Sequence, residues 1–373
     1  MSPDPAWRPE DALYMARALE LAQRGLNTTD PNPRVGCVIV KQGKIVGEGW
    51  HERAGGPHAE VNALRAAGTE ARDATVYVSL EPCSHHGKTP PCSEALIKAG
   101  VRRVVAATED PNPRVAGNGL RQLQASGIDI SCGLLRGSAV ALNPGFHQRM
   151  QSGRPWIRSK LAMSLDGRTA MASGESRWIT GAEARRDVHR WRARSSCIVT
   201  GIDTVLADDP ELTVRLENAE TPVTPPARVI LDSNLRCPAL PRLAQRPGRA
   251  ILLTTRRGSL PRHESDLEIV SLPANAEGRL DLSAVIEWLG IQEFNEVLFE
   301  AGPTLNGALL RDDLVDEWIV FMAPVVLGDG ARGLFHLPEL TRMAERHRLP
   351  PPEVRAVGQD VRFIFRRRST LPP

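Results

Sequence analysis

A histidine, a glutamate and two cysteines have the types and the spacing of a catalytic zinc site. His58 and Glu60 stand two residues apart, and eight residues separate Cys83 from Cys92. One imidazole and two thiolates make three zinc ligands, and a catalytic zinc site keeps its fourth position for water. Because bound zinc lowers the pKa of that water to roughly 7, the site would generate a nucleophile at neutral pH. Glu60 is placed to move protons without binding the metal.

The order of these residues is that of zinc deaminases acting on nucleobases, which have H-x-E followed by P-C-x-x-C. Here Pro82 precedes the first cysteine, but a longer loop separates the two cysteines. The pattern predicts that Glu60 takes a proton from the attacking water and passes it to the ring nitrogen and the departing ammonia. The alternative is a closed structural zinc site with His85 or His86 as its fourth ligand. A structural site, however, gives no role to a glutamate beside its histidine.

Two helix starts should hold the ligands. Side chains at i and i+2 point about 200° apart on a helix, so His58 and Glu60 should straddle its first turn, with residues 59–67 behind them. Pro90 and Pro91 before Cys92 also predict a helix start, because proline suits the first turn. Both helix amino ends would then point at the metal, where their partial positive charge favours thiolate and hydroxide.

Length, charge and composition restrict the class of protein. A chain of 373 residues suggests two domains. Its 47 basic and 44 acidic residues give a net charge of +3, which is not the clustered excess of a nucleic-acid-binding protein. The polar start has no apolar signal region, and no apolar run is long enough to span a bilayer. We therefore expect a cytoplasmic protein with no nucleic-acid partner and no membrane partner.

Helical and strand patterns alternate in both halves and predict an α/β fold. In the first half the predicted helices are residues 12–22, 59–67, 92–99, 120–125 and 138–150, and the predicted strands are residues 35–40, 45–50, 75–80, 103–107 and 128–131. Gln42 and Gly43 predict a hairpin turn. After a linker at residues 151–155, the predicted helices are residues 183–193, 282–289 and 303–310, and the predicted strands are residues 156–163, 197–200, 228–231, 250–254, 268–272, 296–299, 317–321 and 361–366.

A six-residue stretch occurs twice, at residues 30–35 and 110–115. One interpretation is two similar proline turns. The functional interpretation is that Asn32 lines a pyrimidine pocket, because an amide can bond both a ring acceptor and a ring donor. His51 either helps to bind the pyrimidine or faces solvent at the end of a strand.

The second half lacks G-x-G-x-x-G but has two weaker candidate ligand sites. Gly302 stands between a predicted strand and a predicted helix, and such a helix start offers free backbone N–H groups to a phosphate. The paired carboxylates of Asp208 and Asp209 form a turn or cap a helix, unless they contact a ligand. Arg192 and Arg215 flank that segment and could clamp a substrate phosphate.

Taken together, these motifs resemble the bifunctional riboflavin-biosynthesis deaminase–reductase family over nearly the whole chain. Residues 58–60 and 82–92 match its deaminase pattern, and residues 164–168, 204–210 and 300–303 match its reductase half. The resemblance implies an N-terminal cytidine-deaminase-like zinc domain, residues 1–150, and a C-terminal dihydrofolate-reductase-like domain, residues 154–373. It also implies one Zn²⁺ per chain, NADPH and a homo-oligomer.

The implied first reaction hydrolyses the 2-amino group of 2,5-diamino-6-ribosylamino-4(3H)-pyrimidinone 5′-phosphate. In the second, NADPH delivers hydride to C1′ of the opened sugar imine, which gives 5-amino-6-(5-phosphoribitylamino)uracil. By motif, zinc would be held by His58, Cys83 and Cys92, with Glu60 catalytic. NADPH would be contacted by Ala162, Trp178, Thr204, Asp208, Ser233, Gly302, Pro303, Thr304, Leu305, Asn306, Gly307 and Ala308. Substrate would be contacted by Ser176, Arg192, Leu212, Arg215 and Glu300, with Asn32 and His51 at the pyrimidine; Lys160 lies near the second site in the family.

Two other functions fit parts of the sequence. One keeps the zinc chemistry but applies it to a free nucleoside or a tRNA base, with the second half as a substrate-binding module. The loop between Cys83 and Cys92 and the motif at residues 204–210 argue against it. The other is a zinc-stabilised nucleic-acid-binding protein, which the balanced charge disfavours.

Overall fold

The computed structural model of the chain describes residues 7–84, 90–216, 222–238, 241–256 and 267–367. The chain forms two compact units, with the boundary between Gly153 and Arg154. Both units mix helices and strands, so the predicted α/β class is confirmed. Among the described helices, none combines the length and the apolar character needed to cross a lipid bilayer.

In the residues described, the first unit is built on a five-stranded sheet. Its strands are β1 (Gly36–Lys41), β2 (Lys44–Trp50), β3 (Thr75–Val78), β4 (Arg103–Ala106) and β5 (Asp129–Cys132). Across the sheet the order is β2-β1-β3-β4-β5, with β1 antiparallel to both neighbours and β3, β4 and β5 parallel. Gln42 and Gly43 both have positive φ and form the predicted turn between β1 and β2.

Helices cover both faces of this sheet. They are α1 (Asp11–Gln23), α2 (Ala59–Ala67), α3 (Cys92–Ala99), α4 (Asn118–Ala125), α5 (Arg136–Leu142) and α6 (Pro144–Ser152). Val38 and Val40 of β1 pack in the cluster that contains α1, whereas Cys37 and Ile39 pack in the cluster that contains α2. This alternation follows from the two-residue period of a strand. The first unit is therefore a sheet between two helical layers.

Two glycines of β2 let α2 lie close against the sheet. A Cβ added at Gly47 would stand 2.4 Å from the carbonyl oxygen of Ala63, and one at Gly49 would stand 2.4 Å from the nitrogen of Ala63. A glycine in a strand often marks such a close approach of another backbone. This contact sets how near the amino end of α2, which carries His58, lies to the sheet.

The second unit has a nine-stranded sheet in the described part of the chain, with the order β11-β10-β9-β8-β12-β6-β13-β16-β15. The strands of this unit are β6 (Trp156–Ser164), β7 (Arg168–Ala170), β8 (Cys197–Gly201), β9 (Ala227–Leu231), β10 (Ala250–Thr254), β11 (Leu267–Ser271), β12 (Glu296–Glu300), β13 (Glu317–Ala323), β14 (Arg332–Gly333), β15 (Glu353–Val357) and β16 (Asp360–Arg366). In this order the first seven strands, from β11 across to β13, are parallel. Strands β16 and β15 continue the sheet in antiparallel pairing, and β7 pairs with β14 apart from the main sheet. The carboxyl ends of β8, β12 and β6 therefore meet in the middle of the sheet.

This sheet is also covered on both faces. Its helices are α7 (Ala182–Arg194), α8 (Ile202–Asp208), α9 (Leu282–Ile291) and α10 (Pro303–Arg311). Leu289 of α9 and Leu309 of α10 pack with Phe299, whereas Ile202 of α8 packs with Ile198 on the opposite side. Parallel strands buried on both faces have nearly continuous apolar sequences, which made them recognisable.

The predicted elements lie within two residues of those in the structure, with one exception. The single helix predicted at residues 138–150 is wrong, because α5 ends at Leu142 and α6 begins at Pro144. Between them, the side chain of Asn143 forms hydrogen bonds of 2.8 and 2.9 Å with the backbone of Arg34. Helix α8 and strands β7, β14 and β15 were not predicted.

Candidate active sites

The first unit brings His58, Cys83 and Cys92 together as a metal site. Their ligand atoms all lie within 4.8 Å of one another, and no second cluster of this kind occurs among the residues described. His58 Nδ1 is 3.6 Å from Cys83 Sγ and 3.3 Å from Cys92 Sγ. Tetrahedral zinc with bonds of about 2.0 Å to nitrogen and 2.3 Å to sulfur places such ligands about 3.5 Å apart. The donors and their spacing fit zinc; His85 and His86, the alternative fourth ligands, lie outside the described residues.

Each ligand lies next to the end of a regular element. His58 is the N-cap of α2, with extended backbone, and Cys92 begins α3 directly after Pro91. The backbone N–H of Cys92 also donates to Cys83 Sγ at 3.3 Å. The hydrogen bond from the Cys92 thiol lowers the pKa of Cys83 and raises that of Cys92, because two adjacent sulfur atoms do not both ionise readily. The predicted pair of helix starts is confirmed, and both favour thiolate at the metal position.

Glu60 lies in the first turn of α2 with its side chain beside Cys92. It is 3% exposed. Burial raises the pKa of Glu60 to about 7, although the nearby His58 acts in the opposite direction. A carboxyl group with a pKa near neutrality can both accept and release a proton at pH 7. Glu60 is not among the three clustered ligands, which leaves it available for proton transfer.

Asn32 and His51 are joined beside the metal ligands. His51 Nδ1 lies 3.0 Å from the carbonyl oxygen of Pro57, so this nitrogen carries the proton and Nε2 accepts from Asn32 Nδ2 at 3.0 Å. The rings of His51 and His58 are perpendicular, with centroids 5.5 Å apart. Because His51 is 2% exposed, the alternative of a histidine facing solvent is wrong. Burial lowers the pKa of His51, which keeps the ring neutral and this hydrogen bond intact.

Glu81 connects the second copy of the repeated stretch to the metal site. Its buried carboxylate accepts hydrogen bonds of 2.9–3.3 Å from the backbone N–H groups of Asp110, Gly117, Gly119 and Leu120. A Cβ added at Gly119 would stand 1.9 Å from the Pro82 carbonyl oxygen, so the segment lies directly against the turn that carries Cys83. The sequence analysis missed Glu81, because its hydrogen-bond partners are backbone N–H groups 29 to 39 residues away in the sequence.

In the second unit, Lys160, Glu300 and Arg192 form a partly buried charged cluster. Lys160 and Glu300 are paired in register on the adjacent strands β6 and β12. Arg192 of α7 grips Glu300 through Nε and Nη2 at 2.5 and 2.9 Å, and its Nη1 donates to the Thr213 carbonyl oxygen at 3.0 Å. Although burial alone would raise it, Arg192 lowers the pKa of Glu300 to about 2. Glu300 is therefore a fixed carboxylate, beside a lysine whose pKa is lowered by burial.

Two predicted substrate residues lie on the segment that follows α8. The side chain of Leu212 is 4% exposed and packs with Ile202 in an apolar cluster, so only its main chain is left for a substrate contact. The guanidinium of Arg215 is exposed and lies 3.3 Å from Glu211. The backbone N–H of Arg215 donates to His189 Nδ1 at 3.2 Å. This segment is thus fastened to α7, one helical turn from Arg192.

The predicted passage from strand to helix at Gly302 is present. Gly302 is the N-cap of α10, and Pro303 is its first residue. A Cβ added at Gly302 would meet no atom within 4 Å, so the helix start faces open space that a phosphate could enter. Asn306 is 1% exposed, and its amide bonds Ser159 Oγ at 2.7 Å and the Ala301 carbonyl oxygen at 2.8 Å. Its contact with NADPH stays a prediction that its side chain does not support.

The other predicted cofactor and substrate residues lie on the strands and helices of this unit or directly next to them. Ala162 lies on β6, Ser176 and Trp178 between β7 and α7, Thr204 and Asp208 on α8, Ser233 after β9, and Thr304, Leu305, Gly307 and Ala308 on α10. Arg177 donates to the carbonyl oxygen and to Oδ1 of Asp208 at 2.9 and 3.2 Å, which ties the Trp178 segment to the end of α8. A Cβ at Gly307 would stand 1.9 Å from the His336 carbonyl oxygen, so Gly307 has a packing role.

Comparison with known proteins relates both units to the same proteins. Residues 155–363 match the family model of the RibD C-terminal domain, and residues 8–108 match that of the cytidine and deoxycytidylate deaminase zinc-binding region. The chain is 54% identical over 361 residues to riboflavin biosynthesis protein RibD of Escherichia coli (strain K12). That alignment covers 94% of this chain and 98% of the relative.

Solved structures agree over the same length. RibD from Acinetobacter baumannii is similar with a TM-score of 0.89 and 45% identity, over 96% of this chain and 98% of that one. A Thermotoga maritima structure, described as a diaminohydroxyphosphoribosylaminopyrimidine deaminase/5-amino-6-(5-phosphoribosylamino)uracil reductase, gives a TM-score of 0.84 at 33% identity. It covers 95% of this chain and 98% of its own.

Proposed function

The chain belongs to the RibD family of riboflavin-biosynthesis proteins, and from this premise we propose how its residues divide two consecutive reactions. The protein is a bifunctional deaminase and reductase. The first reaction hydrolyses the 2-amino group of 2,5-diamino-6-ribosylamino-4(3H)-pyrimidinone 5′-phosphate, and the second reduces the ribosyl chain to ribityl with NADPH. We assign deamination to residues 1–150 and reduction to residues 154–373.

In the deaminase unit, His58, Cys83 and Cys92 hold the zinc ion. When bound, zinc acidifies a water molecule so that it can act as a nucleophile at neutral pH. Asn32, oriented by His51, presents its amide to the edge of the pyrimidine ring. Glu60 accepts one proton of the attacking water and delivers it to the ring nitrogen, and it then carries the second proton, from the hydroxyl group added to the ring carbon, to the departing amine. Ammonia leaves, and the oxygen of the water becomes the carbonyl oxygen of the product.

Replacing Glu60 with glutamine tests this division of roles. Glu60→Gln keeps the size of the side chain but cannot take up the proton, so ammonia release should fall by a factor of roughly 10² or more. The metal should stay at one zinc per chain, measured by atomic absorption, since Glu60 is not a ligand. Loss of the zinc together with the activity would mean that Glu60 has a structural role and that this mechanism is wrong.

In the reductase unit, the charged cluster and the start of α10 divide substrate from cofactor. Arg192 has five N–H donors, of which three bind Glu300 and Thr213, so it retains two for the 5′-phosphate of the substrate. Arg215 supplies a second, exposed guanidinium for the same phosphate. The carboxylate of Glu300 accepts hydrogen bonds from sugar hydroxyl groups. NADPH, which supplies hydride when bound, would lie with a phosphate at the open helix start beside Gly302.

Other residues complete these two groups of contacts. Ser176 and the main chain of Leu212 are proposed at the substrate. Trp178, Thr204, Asp208 and Ser233 are proposed at the cofactor, with Ala162 on β6. The observation that carries the deaminase assignment is the triangle of His58, Cys83 and Cys92 with the buried Glu60 beside it.

A coupled assay on the purified protein tests the proposed sequence of reactions. With the diaminopyrimidine phosphate as substrate, ammonia should be released first, and NADPH oxidation should follow it. If NADPH oxidation began before any ammonia appeared, the proposed order of the two reactions would be wrong. Ammonia release from a free nucleoside, with no oxidation of NADPH, would instead favour a deaminase that acts on nucleosides or on bases in tRNA.

We propose a cytoplasmic homo-oligomer, as the family resemblance implied. Light scattering of the purified protein gives its subunit number, and fractionation of cells gives its location.

A further inference from the structure

Helix α7 holds the segment of Arg215 at two points. His189 Nδ1 accepts the backbone N–H of Arg215 at 3.2 Å. One turn further along the helix, Arg192 Nη1 donates to the carbonyl oxygen of Thr213 at 3.0 Å. Residues three apart on a helix lie on the same face, so both side chains reach the same neighbouring segment. Arg192 also grips Glu300, and the segment is thereby placed beside the charged cluster.

The segment needs an external support because its backbone is strained. Leu212 has a φ of +48°, in the left-handed region that a branched side chain rarely adopts. Its side chain is buried in the apolar cluster with Ile202 and Val205, which anchors the segment at one end. Arg215 lies three residues beyond this anchor, and its side chain is 65% exposed. Beyond the contact of Arg192 with Thr213, the hydrogen bond to His189 holds the backbone at the exposed end.

His189 is suited to act as a permanent acceptor. Its ring lies close to the cationic Arg192 and Arg215, to the carboxylate of Glu300 and to the backbone of Thr213. Burial, followed by the two arginines, lowers the pKa of His189 to about 4. The imidazole therefore stays neutral, with the proton on Nε2 and the lone pair of Nδ1 directed at the N–H of Arg215.

We propose that His189 is a positioning residue of the reductase: by fixing the main chain at Arg215 it aims that guanidinium at the 5′-phosphate of the substrate. This inference rests on the proposed contact between Arg215 and the substrate phosphate. His189 itself does not touch the reacting atoms. Its loss should therefore weaken substrate binding and leave the hydride-transfer step nearly unchanged.

Two variants of nearly equal shape isolate the acceptor. In His189→Asn the amide oxygen occupies the position of Nδ1 and can still accept the N–H, whereas in His189→Leu a methyl group stands there. We expect His189→Leu to raise the KM for the phosphorylated substrate about tenfold with kcat changed by less than about twofold, and His189→Asn to stay within about threefold of wild type. The KM for NADPH and the thermal midpoint should be alike in the two variants.

Controls separate this inference from the proposed function. Arg190→Gln alters an exposed residue of α7, 74% exposed in its side chain, and should leave both KM values unchanged. Arg215→Gln should raise the substrate KM by at least as much as His189→Leu. If Arg215→Gln raises the KM but His189→Leu does not, or if Leu and Asn act alike, the inference is wrong. If Arg215→Gln has no effect, the proposed contact with the phosphate is wrong and the inference fails with it.

Discussion

Three histidines of the first unit, His51, His58 and His147, differ in role because their rings have different partners. His58 turns Nδ1 toward the sulfur atoms of Cys83 and Cys92, where it could bind a metal ion with them. His51 is held as one neutral tautomer between Pro57 and Asn32. His147 on α6 is 3% exposed, and its Nε2 has no hydrogen-bond partner among the residues that the structure describes. The third ring is therefore the one that a proton would disturb most.

His147 should make the first unit sensitive to acid. Burial, assisted by Arg136, lowers the pKa of His147 to about 4, below its ordinary value near 6.5. Between these values the unfolded chain binds more protons, so stability is fully present above about pH 6.5 and is lost as the pH falls toward 4. His147→Phe keeps a ring but cannot be protonated. From pH 7 to pH 5, wild type should lose up to about 2 kcal/mol more than this variant in calorimetric unfolding.

His347→Phe serves as the matched control, because His347 is an exposed histidine of the second unit. This variant should follow wild type at both pH values. If the His147→Phe and wild-type proteins lose equal stability between pH 7 and pH 5, the ring of His147 is not the acid-sensitive group.

At the scale of single residues, spacing predicted the ligands but not the residues that support them. The cluster of His58, Cys83 and Cys92, with Glu60 beside it, could be predicted because zinc chemistry requires these types in this order. Glu81 and His189 could not, because their roles depend on backbone N–H groups that are distant in sequence and meet only after folding. No pattern of residue types encodes such a contact.

At the scale of elements, Glu81 acts as a clamp between two segments of the first unit. Four backbone N–H groups from residues 110–120 converge on its carboxylate. These donors have no strand or helix partner of their own at that point, so the carboxylate replaces regular secondary structure. The segment is held against the turn that carries Cys83.

Glu81→Gln should loosen this clamp. A carboxamide offers one acceptor oxygen, and its NH₂ group would face N–H donors, so about half of the hydrogen bonds would be lost. Hydrogen bonds to a charged group contribute roughly 1.5–3 kcal/mol each, and we expect the first unit to lose at least about 2 kcal/mol in calorimetric unfolding. Glu70→Gln removes an exposed ion pair in which Glu70 Oε2 lies 3.4 Å from Lys41 Nζ, and it should cost less than about 0.5 kcal/mol.

Equal unfolding of the Glu81 and Glu70 variants would show that the clamp does not stabilise the unit. Zinc content distinguishes damage to the segment held by Glu81 from damage to the metal ligands. It should stay at one ion per chain in Glu81→Gln if the clamp supports the segment rather than the ligands.

Elements were predictable where local sequence and tertiary packing agree. Strands β8, β9 and β10 are apolar on both faces, and they are buried between two helical layers. The break at Asn143 was predictable from Pro144, because proline removes a helical hydrogen bond and clashes with the preceding turn; the hydrogen bonds of Asn143 to Arg34, which is distant in sequence, were not. Strand β14 has two residues, Arg332 and Gly333, and no periodic pattern can be recognised in so short a stretch.

At the scale of the whole molecule, the chain consists of two units, and all the residues proposed for each reaction lie in one of them. The first has its own apolar core and the metal ligands with Glu60. The second has its own core and the cluster of Arg192, Glu300 and Lys160. Because no residue is assigned to both sets, damage to one set should leave the other reaction intact.

Two reciprocal variants of the full chain test this separation. Glu60→Gln should release almost no ammonia but reduce supplied 5-amino-6-(5-phosphoribosylamino)uracil at the wild-type rate, followed by NADPH absorbance. Arg215→Ala should release ammonia at the wild-type rate but show a substrate KM about tenfold higher in the reduction, because one phosphate contact is lost. A slower reduction in Glu60→Gln, or slower ammonia release in Arg215→Ala, would require a residue or a conformational change shared by both reactions. Independence in both directions would mean that the order of the two reactions is set by the chemistry of the intermediate alone.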